Sequence, residues 1–269
     1  MVSRFAADTR ASVRGYAPGT VEKRVAIARD YVAAVPKWRT ATAVDVERWA
    51  AGHRWAPSTT RDAIGHVRAF YRWAIRHELV GHDPTVTVEL PKVPRRLPRP
   101  ARDVAIARAV ERATPELAGM IALMAGAGLR CCEVARLRWA DVDMVAGTIH
   151  VTGKGNRERV LAIGPAVRRA LAAIDRPGAF VFVSPHTGRP YTAARVSQLV
   201  GRHLRDTGAG CTAHQLRHRF ATVSLATCGE LHTVRDLLGH ASVVTTEVYA
   251  AVTGGDGADV SRRVTVPGL

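Results

Sequence analysis

One ten-residue stretch, PKVPRRLPRP at positions 91–100, constrains the fold of this chain more than any other feature. It contains four prolines and four basic residues. Proline lacks a backbone N–H group and clashes with the preceding helical turn, so the stretch can neither continue a helix nor form a central strand. We therefore expect an interdomain linker at 91–100, between one domain at 1–90 and a second at 101–269. An extended basic linker also suits contact with DNA phosphates, for which Arg95 and Arg96 are candidates.

The segment before the linker has the pattern of a small helical bundle. Thr42 with Asp45, and Thr59 with Asp62, have the spacing of capping boxes, which predicts a helix start at each threonine. Four arginines lie on or near one face of the last predicted helix: Arg61, Arg68, Arg72 and Arg76. Contact with DNA phosphates is one role for this face, and a solvated polar face is the alternative.

In the segment after the linker, the spacing of apolar residues changes from a helical pattern to a strand pattern and back. Helical patterns cover roughly 102–113, 115–127 and 131–138. GTIHV and RERVLAI, on either side of TGKGN, predict a β-hairpin, and AFVFVS predicts a further strand. Helical patterns then return from about 192 to 250. The predicted fold class is mainly α, with a small antiparallel β-sheet in the second domain.

The charge of the chain indicates a polyanionic partner. Thirty-nine Lys and Arg against 23 Asp and Glu give a formal net charge of +16. In a cytoplasmic protein such an excess points first to nucleic-acid phosphates. The start of the chain lacks the apolar core of a signal peptide, and no apolar run reaches the length of a membrane span. We therefore expect a globular cytoplasmic protein with no membrane partner.

Cysteine and aspartate spacing predicts no bound metal. The four cysteines lie at positions 131, 132, 211 and 228, with no CxxC spacing. Cys131 and Cys132 are adjacent and would form only a strained disulfide, so reduced thiols are expected. Asp141 and Asp143 form the only close acidic pair in their region, and a turn entering the first strand explains them better than a two-metal site does.

Chemically reactive side chains begin to accumulate after position 126. AGLRCCEVARL places Arg130 and Glu133 three residues apart at a predicted helix start. TGKGNRER puts Lys154 on the predicted hairpin turn. Basic and acidic residues at such spacing are common, so each stretch alone is a weak signal.

The remaining reactive side chains follow in the last quarter of the chain. AHQLRHRF sets His214, Arg217 and His218 on one helical face. LLGH supplies His240, and Tyr249 follows nine residues later. A lone histidine is more often a surface or core residue than a functional one, but the order and composition of all these stretches together are specific.

In this order the stretches resemble the motifs of the tyrosine recombinases, or phage integrases: GLRxxE, a hairpin lysine, HxLRH, LGH and a terminal tyrosine. The resemblance spans residues 126–249, and the helical segment is similar to the family's core-type DNA-binding domain. It implies a site-specific recombinase that cleaves and rejoins DNA through a 3′-phosphotyrosyl intermediate and a Holliday junction. The catalytic set it implies is Arg130, Lys154, His214, Arg217, His240 and the nucleophile Tyr249, with Glu133 in support.

The chemistry of these side chains is consistent with that set. An unperturbed tyrosine has a pKa of about 10, so attack by Tyr249 on a phosphodiester at neutral pH needs help. Arg130 and Arg217 can fork onto the non-bridging phosphate oxygens and stabilise the charge that grows there. Lys154 is the candidate general acid for the leaving 5′ oxygen.

The other members have supporting roles. His214 suits proton transfer or hydrogen bonding near Tyr249, and His240 suits a hydrogen bond to the phosphate. Glu133 more plausibly orients Arg130 than takes part in the chemistry. Because the phosphodiester energy stays in the phosphotyrosyl bond, rejoining needs no nucleotide, and we predict activity with no cofactor.

The resemblance also implies partners. A recombination cuts two duplexes, which implies a homo-tetramer on paired core-type sites of double-stranded DNA. Accessory DNA-bending or directionality factors are further candidates. Only about seventeen residues precede the first helical pattern, too few for the arm-binding domain of many phage integrases. Residues 251–269, with Val260, Val264 and Val266, either reach a neighbouring subunit or form a frayed end.

Several functions fit this chemistry. Phage or mobile-element integration and excision is favoured, and a Xer-like resolvase of chromosome or plasmid dimers is the alternative. A type IB topoisomerase shares the chemistry but relaxes supercoils without site choice. A DNA-binding regulator that has lost catalysis is a further alternative, but binding alone requires no nucleophile. No residue pattern gives a base code, so the target site is not predicted.

Overall fold

The computed structural model describes residues 1–12, 15–16, 18–94, 99–153, 158–175, 178–239 and 263–269. The chain divides into two compact units, Met1–Arg96 and Leu97–Leu269. Within the described residues, no helix is long and apolar enough to cross a membrane. The functional names predicted for the two domains stay predictions.

The first unit is helical, and it contains a helix that the sequence pattern did not predict. Its helices are α1 (Val2–Arg10), α2 (Pro18–Ala34), α3 (Ala43–Ala51) and α4 (Pro57–Arg76), with a 3₁₀ turn at Trp38–Thr40. The expectation of seventeen residues without helical pattern was wrong, because α1 occupies most of them. A nine-residue helix is marginal alone, and α1 depends on Phe5, whose ring lies 5.3 Å from those of Phe70 and Trp73.

The core of the first unit is built on buried aromatic side chains. Tyr31 and Tyr71 are fully buried, and their hydroxyl oxygens lie 2.8 Å apart. The Tyr71 hydroxyl also donates to the carbonyl oxygen of Trp38 at 2.6 Å. The polar ends of the two rings are therefore satisfied within the core, and they join α2, α4 and the 3₁₀ turn.

Of the two predicted capping boxes, one is confirmed and one is wrong. Thr42 and Asp45 form a capping box at the start of α3, where Asp45 Oδ2 accepts the Thr42 backbone N–H at 2.9 Å. Helix α4 starts before Thr59, with Pro57 at its first position. Proline fixes φ at a helical value and lacks the N–H that a first turn leaves unpaired, so it starts the helix earlier. Asp62 pairs instead with Lys23 of α2.

The second unit combines seven described helices with one small sheet. The helices are α5 (Asp103–Glu111), α6 (Pro115–Gly126), α7 (Cys131–Arg136), α8 (Pro165–Ala172), α9 (Ala193–Asp206), α10 (Ala213–Cys228) and α11 (Leu231–Leu238). Every residue of α6 from position 119 to position 126 is buried. This helix therefore lies at the centre of the unit's core, and α8 and α10 pack against it.

The sheet contains the predicted hairpin. Its strands β1 (Val142–Asp143), β2 (Thr148–Thr152) and β3 (Glu158–Ala162) pair antiparallel in that order. Ile149 faces Leu161 in the register between β2 and β3. The prediction of a hairpin from GTIHV and RERVLAI is confirmed, and the turn at 154–157 lies outside the described residues.

The predicted strand AFVFVS at 179–184 is wrong. Within the described residues this segment makes isolated bridges and no strand, between Arg138 and Phe180 and between Val183 and Pro190. Val181 and Phe182 are 2% and 1% exposed. The run is apolar because it packs in the core of the unit, which β-propensity alone cannot distinguish from membership of a sheet.

The acidic pair serves backbone turns, as predicted. Asp141 Oδ2 accepts the backbone N–H of Arg138 at 3.0 Å. Asp143 Oδ1 accepts the N–H groups of Val145 and Ala146 in the turn that enters β2. Among the described residues, no group of three or more His, Cys, Asp or Glu is arranged to hold a metal ion. The absence of a metal from the reaction stays a prediction.

The end of the chain packs against its own unit. Val264 and Val266 are 2% and 1% exposed, and both belong to the hydrophobic core of the second unit. An added Cβ at Gly126 would lie 2.6 Å from Val266 Cγ2, so α6 and this segment are in close contact. These two valines are therefore not part of a frayed end, and contact of residues 251–269 with a neighbouring subunit stays a prediction. Val260 lies outside the described residues.

Candidate active site

Glu133 is the buried centre of the candidate site. The stretch GLRCCE forms the start of α7, with Arg130 at the N-cap and Glu133 three residues later. Glu133 Oε2 accepts the backbone N–H of Arg130 at 2.8 Å. The carboxylate therefore caps its own helix, and its side chain is only 1% exposed. A charge buried to this extent requires paired partners.

Three arginines from different elements surround this carboxylate and are called the arginine cluster below: Arg130, Arg159 and Arg217. Arg130 Nη1 donates to Glu133 Oε1 at 2.8 Å. Arg159, on β3, donates from both terminal nitrogens, one to each carboxylate oxygen, at 3.0 Å. Arg217 Nη1, on α10, lies 3.9 Å from Glu133 Oε2. Because three guanidinium groups face one carboxylate, the cluster keeps a positive charge that suits an anion.

The arginine cluster also keeps Glu133 ionised. Burial by itself raises the pKa of this carboxyl. The hydrogen bonds and charge of Arg159, followed by those of Arg130, outweigh burial and hold the pKa of Glu133 below its ordinary value. A carboxyl whose pKa is lowered by folding stabilises the fold at neutral pH, and that contribution is lost as the pH falls through the folded-state pKa.

The same three arginines cap the end of α11. Each donates to one of three consecutive carbonyl oxygens there: Arg159 Nε to Leu237 at 3.0 Å, Arg217 Nη2 to Leu238 at 2.7 Å and Arg130 Nη2 to Gly239 at 3.2 Å. The last carbonyl groups of a helix lack partners within it and carry partial negative charge, which favours cations. Residues 237–239 are therefore held against the arginine cluster through their backbone carbonyl oxygens.

Arg217 is the most buried member of the cluster. Its side chain is 5% exposed, against 12% for Arg159 and 31% for Arg130. Arg217 Nη1 also donates to the carbonyl oxygen of Gly128. Gly128 has a φ of +67°, and an added Cβ would lie 2.4 Å from the ring of Phe220. Glycine is therefore required for this loop to approach α10 closely enough to bind Arg217.

Two histidines on α10 stand beside the cluster. The rings of His214 and His218 are 4.3 Å apart in an edge-to-face arrangement. Loss of hydration, followed by the charges of Arg217 and Arg130, holds the pKa of His214 below its ordinary value. Loss of hydration and the neighbouring His214 and Arg217 lower the pKa of His218 to about 4. Both imidazoles are therefore neutral at pH 7, and His214 can accept a proton.

The described residues include half of the predicted catalytic set. Arg130 and Arg217 meet at Glu133, and His214 lies close enough to feel the charge of both. Glu133 forms an ion pair with Arg130, and its predicted role in orienting Arg130 stays a prediction. Lys154, His240 and Tyr249 lie outside the described residues, and their roles stay predictions.

Arg159 is the member of the cluster that sequence analysis missed. Side chains alternate between the two faces of a strand, so Arg159 lies on the same face of β3 as Leu161, which is 1% exposed. An arginine at an inward-facing position of a strand needs a buried partner. The alternation of inward- and outward-facing side chains along RERVLAI could therefore have indicated a buried arginine at position 159. It could not identify Glu133 as the partner.

The arginines predicted to contact DNA have different environments. Arg61 and Arg72 are exposed on α4. Arg68 is half-buried and donates to the hydroxyl oxygen of Thr85 at 3.0 Å and to its carbonyl oxygen at 2.6 Å. Arg68 therefore anchors the segment that follows α4, which the sequence did not indicate. Arg95 and Arg96 lie outside the described residues, and DNA contact by all five stays a prediction.

Gly239→Ala is expected to disturb Arg159 as well as the end of α11. Gly239 has a φ of +62°, and an added Cβ would lie 2.9 Å from Arg159 Nη1. The left-handed conformation alone costs a residue with a side chain about 1–2 kcal/mol. We expect Gly239→Ala to lower the melting temperature, measured by circular dichroism, by more than this backbone strain explains.

Gly188→Ala is the matched control for that variant. Gly188 has a φ of +63°, but no atom of the described residues lies within 4 Å of an added Cβ. It therefore reports the backbone strain without the steric contact. Equal destabilisation by the two substitutions would contradict a specific contact between Gly239 and Arg159.

Comparison with known proteins places this site in a family. The sequence model of the phage integrase family matches residues 104–254. Tyrosine recombinase XerC from Alcanivorax borkumensis is 32% identical over 265 residues, which cover 89% of this chain and 85% of the relative.

Solved structures resemble the fold over most of its length. The match to the integrase from mycobacterium phage Brujita covers 98% of this chain and 92% of that chain, with 28% identity and a TM-score of 0.53. The match to a lambda integrase tetramer bound to a Holliday junction covers 90% of this chain and 76% of that chain, with 17% identity and a TM-score of 0.71. The second likeness concerns the fold alone.

Proposed function

Since the chain belongs to the phage integrase family of tyrosine recombinases, we propose that Tyr249 cleaves DNA and that the cut strands are exchanged between two duplexes. The chain is an enzyme of DNA cleavage and rejoining that acts in site-specific recombination. Its proposed substrate is double-stranded DNA with core-type sites, and its proposed place of action is the bacterial cytoplasm, at the nucleoid.

The arginine cluster around Glu133 is the observation that carries this proposal. Within the described residues, Arg130 uses one N–H of each terminal nitrogen, for Glu133 and for Gly239. A guanidinium has five N–H groups, so three have no partner among the described residues, on a side chain that is 31% exposed. A solvent-facing arginine in a positively charged cluster is suited to bind phosphate oxygens.

The proposed cleavage step uses this charge. Arg130 and Arg217 bind the non-bridging oxygens of the scissile phosphate, where negative charge grows in the transition state. Tyr249 Oη forms a bond to phosphorus as the bond to the 5′ oxygen breaks, and Lys154 gives that oxygen its proton. The products are a 3′-phosphotyrosine and a 5′-hydroxyl. A 5′-hydroxyl from the second duplex reverses the reaction and rejoins the strands.

His214 is the proposed acceptor of the Tyr249 proton. Loss of hydration, followed by the positive charges of Arg217 and Arg130, lowers the pKa of His214, so the ring is neutral at pH 7 and has a nitrogen free of a proton. His240 follows Gly239 in the sequence and is the proposed donor of a further hydrogen bond to the phosphate. Glu133 holds Arg130 and takes no part in bond exchange.

The proposed active assembly is a homo-tetramer on two DNA sites. Exchange of two duplexes cuts four strands, and each cut needs one nucleophile. Lambda integrase, a protein of similar fold, has been solved as a tetramer bound to a Holliday junction. The charge of +16 on this chain lowers the repulsion between duplexes that such an assembly brings together.

Integration and excision of a mobile element is the proposed role, and resolution of DNA dimers is the second candidate. The identity with XerC of Alcanivorax borkumensis over most of both chains favours the second. Sequencing the DNA fragments that the enzyme joins separates the two roles. An integrase joins a site on the element to a site on the chromosome, whereas a resolvase joins two copies of one site.

Covalent trapping tests the proposed function directly. Wild-type protein is incubated in EDTA with nicked duplexes from the flanks of its own gene, and with a genomic fragment library. We expect an adduct that survives detergent and disappears on protease digestion, because a nick lets the 5′-hydroxyl fragment leave and stops the reverse reaction. A metal-dependent nuclease gives no product in EDTA.

Two results would overturn the proposal. Binding without an adduct on any fragment would favour a regulator that lacks catalysis. An adduct that forms at every sequence, together with relaxation of any supercoiled plasmid, would favour a topoisomerase.

A further inference from the structure

We propose that Arg159 is a positioning residue for DNA cleavage, which holds Glu133, and through it Arg130, in register with the end of α11. This inference rests on the proposed function, because it assigns Arg159 a part in the same reaction. Arg159 ends the stretch TGKGNRER, in which the resemblance to the family assigns a role to Lys154 and none to Arg159.

The hydrogen bonds of Arg159 are directed into the protein. Both terminal nitrogens donate to Glu133, and Nε donates to the carbonyl oxygen of Leu237 at 3.0 Å. All three nitrogens of the guanidinium are therefore engaged, and the side chain is 12% exposed. Arg130, at 31%, is the member of the cluster that solvent reaches most easily. Glu133 occupies both terminal nitrogens of Arg159, whereas Arg217 lies 3.9 Å from that carboxylate, so we assign Arg159 a role through Glu133 and leave phosphate binding to Arg130 and Arg217.

Three parts of the site meet at Arg159. It lies on β3, five residues after Lys154 in the hairpin sequence. Its fork binds Glu133 of α7, which in turn binds Arg130. Its Nε binds the end of α11, three residues before His240. The rigid, planar guanidinium of Arg159 thus joins the elements that carry or precede three proposed catalytic side chains, those of Arg130, Lys154 and His240.

Loss of Arg159 would leave Glu133 with alternative partners. Within the described residues, Arg130 would be the remaining donor of short hydrogen bonds to the carboxylate, and Arg217 lies 3.9 Å from it. A carboxylate released from the fork can move toward Arg217 and form a direct ion pair. Both arginines would then be drawn toward Glu133 and away from the phosphate. Displacements of about 1 Å in such groups slow chemistry by about 100-fold.

Single-turnover cleavage of the nicked duplex tests this role. The variants are Arg159→Gln, Arg159→Lys, Glu133→Gln and the double variant of Arg159→Gln with Glu133→Gln. Arg169→Gln is the control, because Arg169 is an exposed arginine on α8. Adduct formation is timed at saturating enzyme, DNA affinity is measured by fluorescence anisotropy, and folding is measured by thermal melting.

We expect a loss of rate without a loss of binding. Arg159→Gln should form the adduct about 30- to 100-fold more slowly, with DNA affinity close to wild type. Arg159→Lys keeps the positive charge but cannot form the two parallel hydrogen bonds to Glu133. Its rate of adduct formation should therefore lie between those of wild type and Arg159→Gln. Because Arg159 acts through Glu133, the double variant should be no slower than Glu133→Gln alone. Arg169→Gln should match wild type.

The pH profile supplies a readout that a loss of stability would not move. In the described residues the charged groups that face Glu133 are Arg130 of its own N-cap, Arg159 of β3 and Arg217 of α10. Without the Arg159 fork the carboxyl loses a partner that favours its ionised form, so it should protonate at a higher pH. Cleavage by Arg159→Gln should therefore decline with falling pH earlier than cleavage by wild type.

Three outcomes would overturn the inference. Cleavage by Arg159→Gln at the wild-type rate would remove any role for Arg159. A double variant slower than Glu133→Gln by the full Arg159→Gln factor would show that Arg159 does not act through Glu133. If the rates of Arg159→Gln and Arg159→Lys fell equally, and only in proportion to their melting temperatures, Arg159 would stabilise the fold without positioning the site. Absence of an adduct with wild type would instead overturn the proposed function.

Discussion

Tyr249→Phe is expected to abolish covalent attachment to DNA while leaving DNA binding unchanged. Phenylalanine keeps the ring but lacks the oxygen that forms the bond to phosphorus, and no other group in the proposed scheme can replace it. The assay is the detergent-resistant adduct on a nicked duplex, with affinity measured on the same duplex. This effect is the largest expected here, because it is a loss of the reaction and not a reduction in rate.

A second tyrosine serves as the control. Tyr191 is a half-buried side chain that packs against the hydrophobic core of the second unit. Tyr191→Phe removes one hydroxyl from the same unit and should retain adduct formation. An adduct that persists in Tyr249→Phe, or that is lost only in Tyr191→Phe, would show that the nucleophile had been assigned to the wrong residue.

Local chemistry explains which parts of the fold could be predicted. The hairpin could be predicted because the change from helical to strand pattern lies within about 15 residues of sequence. The capping box at Thr42 could be predicted because both partners lie in one turn of α3. These features depend on neighbours in the sequence, so the sequence displays them.

Tertiary contacts explain which parts could not be predicted. Helix α1 is too short to be stable alone and depends on the packing of Phe5 against α4. Val181 and Phe182 have the composition of a strand, but they are buried in the core, and their segment forms isolated bridges and not a strand within the described residues. In each case the outcome was decided by residues far away in the sequence, which a local pattern does not represent.

The same distinction applies to the candidate site. Arg130 and Glu133 are three residues apart, so their ion pair follows from the start of α7. Arg159 lies 26 residues from Glu133 and 78 residues from Leu237, its two partners. The motif order indicated the chemistry, whereas the residue that joins its parts became visible only in the fold.

Arg217→Lys is the second variant with a large expected effect, and the structure supplies its control. Arg217 and Arg219 lie two residues apart on α10, and as whole residues they are 4% and 3% exposed. Arg219 donates to Asp103 at 2.6 Å, and to the carbonyl oxygens of Ala125 at 3.3 Å and Thr265 at 2.9 Å. Arg219 thus joins α5, α6 and the end of the chain, whereas Arg217 faces Glu133 and the end of α11.

The two lysine substitutions should separate chemistry from stability. Lysine at 217 keeps a positive charge beside Glu133 but cannot reproduce the planar fork. We expect adduct formation by Arg217→Lys to slow by about 100- to 1000-fold, the usual effect of removing one donor to transition-state charge. Arg219→Lys should lower the melting temperature, because its buried hydrogen bonds to three segments cannot all be kept, while adduct formation below the melting transition stays close to wild type.

The comparison is informative because burial and residue type are the same at both positions. A general effect of disturbing a buried arginine would lower the rate and the melting temperature of both variants alike. If Arg217 binds the scissile phosphate, the rate loss belongs to Arg217→Lys, and it persists at saturating DNA because the missing interaction is made in the transition state. A rate loss confined to Arg219→Lys would move the phosphate site to the other side of α10, toward α5 and the end of the chain.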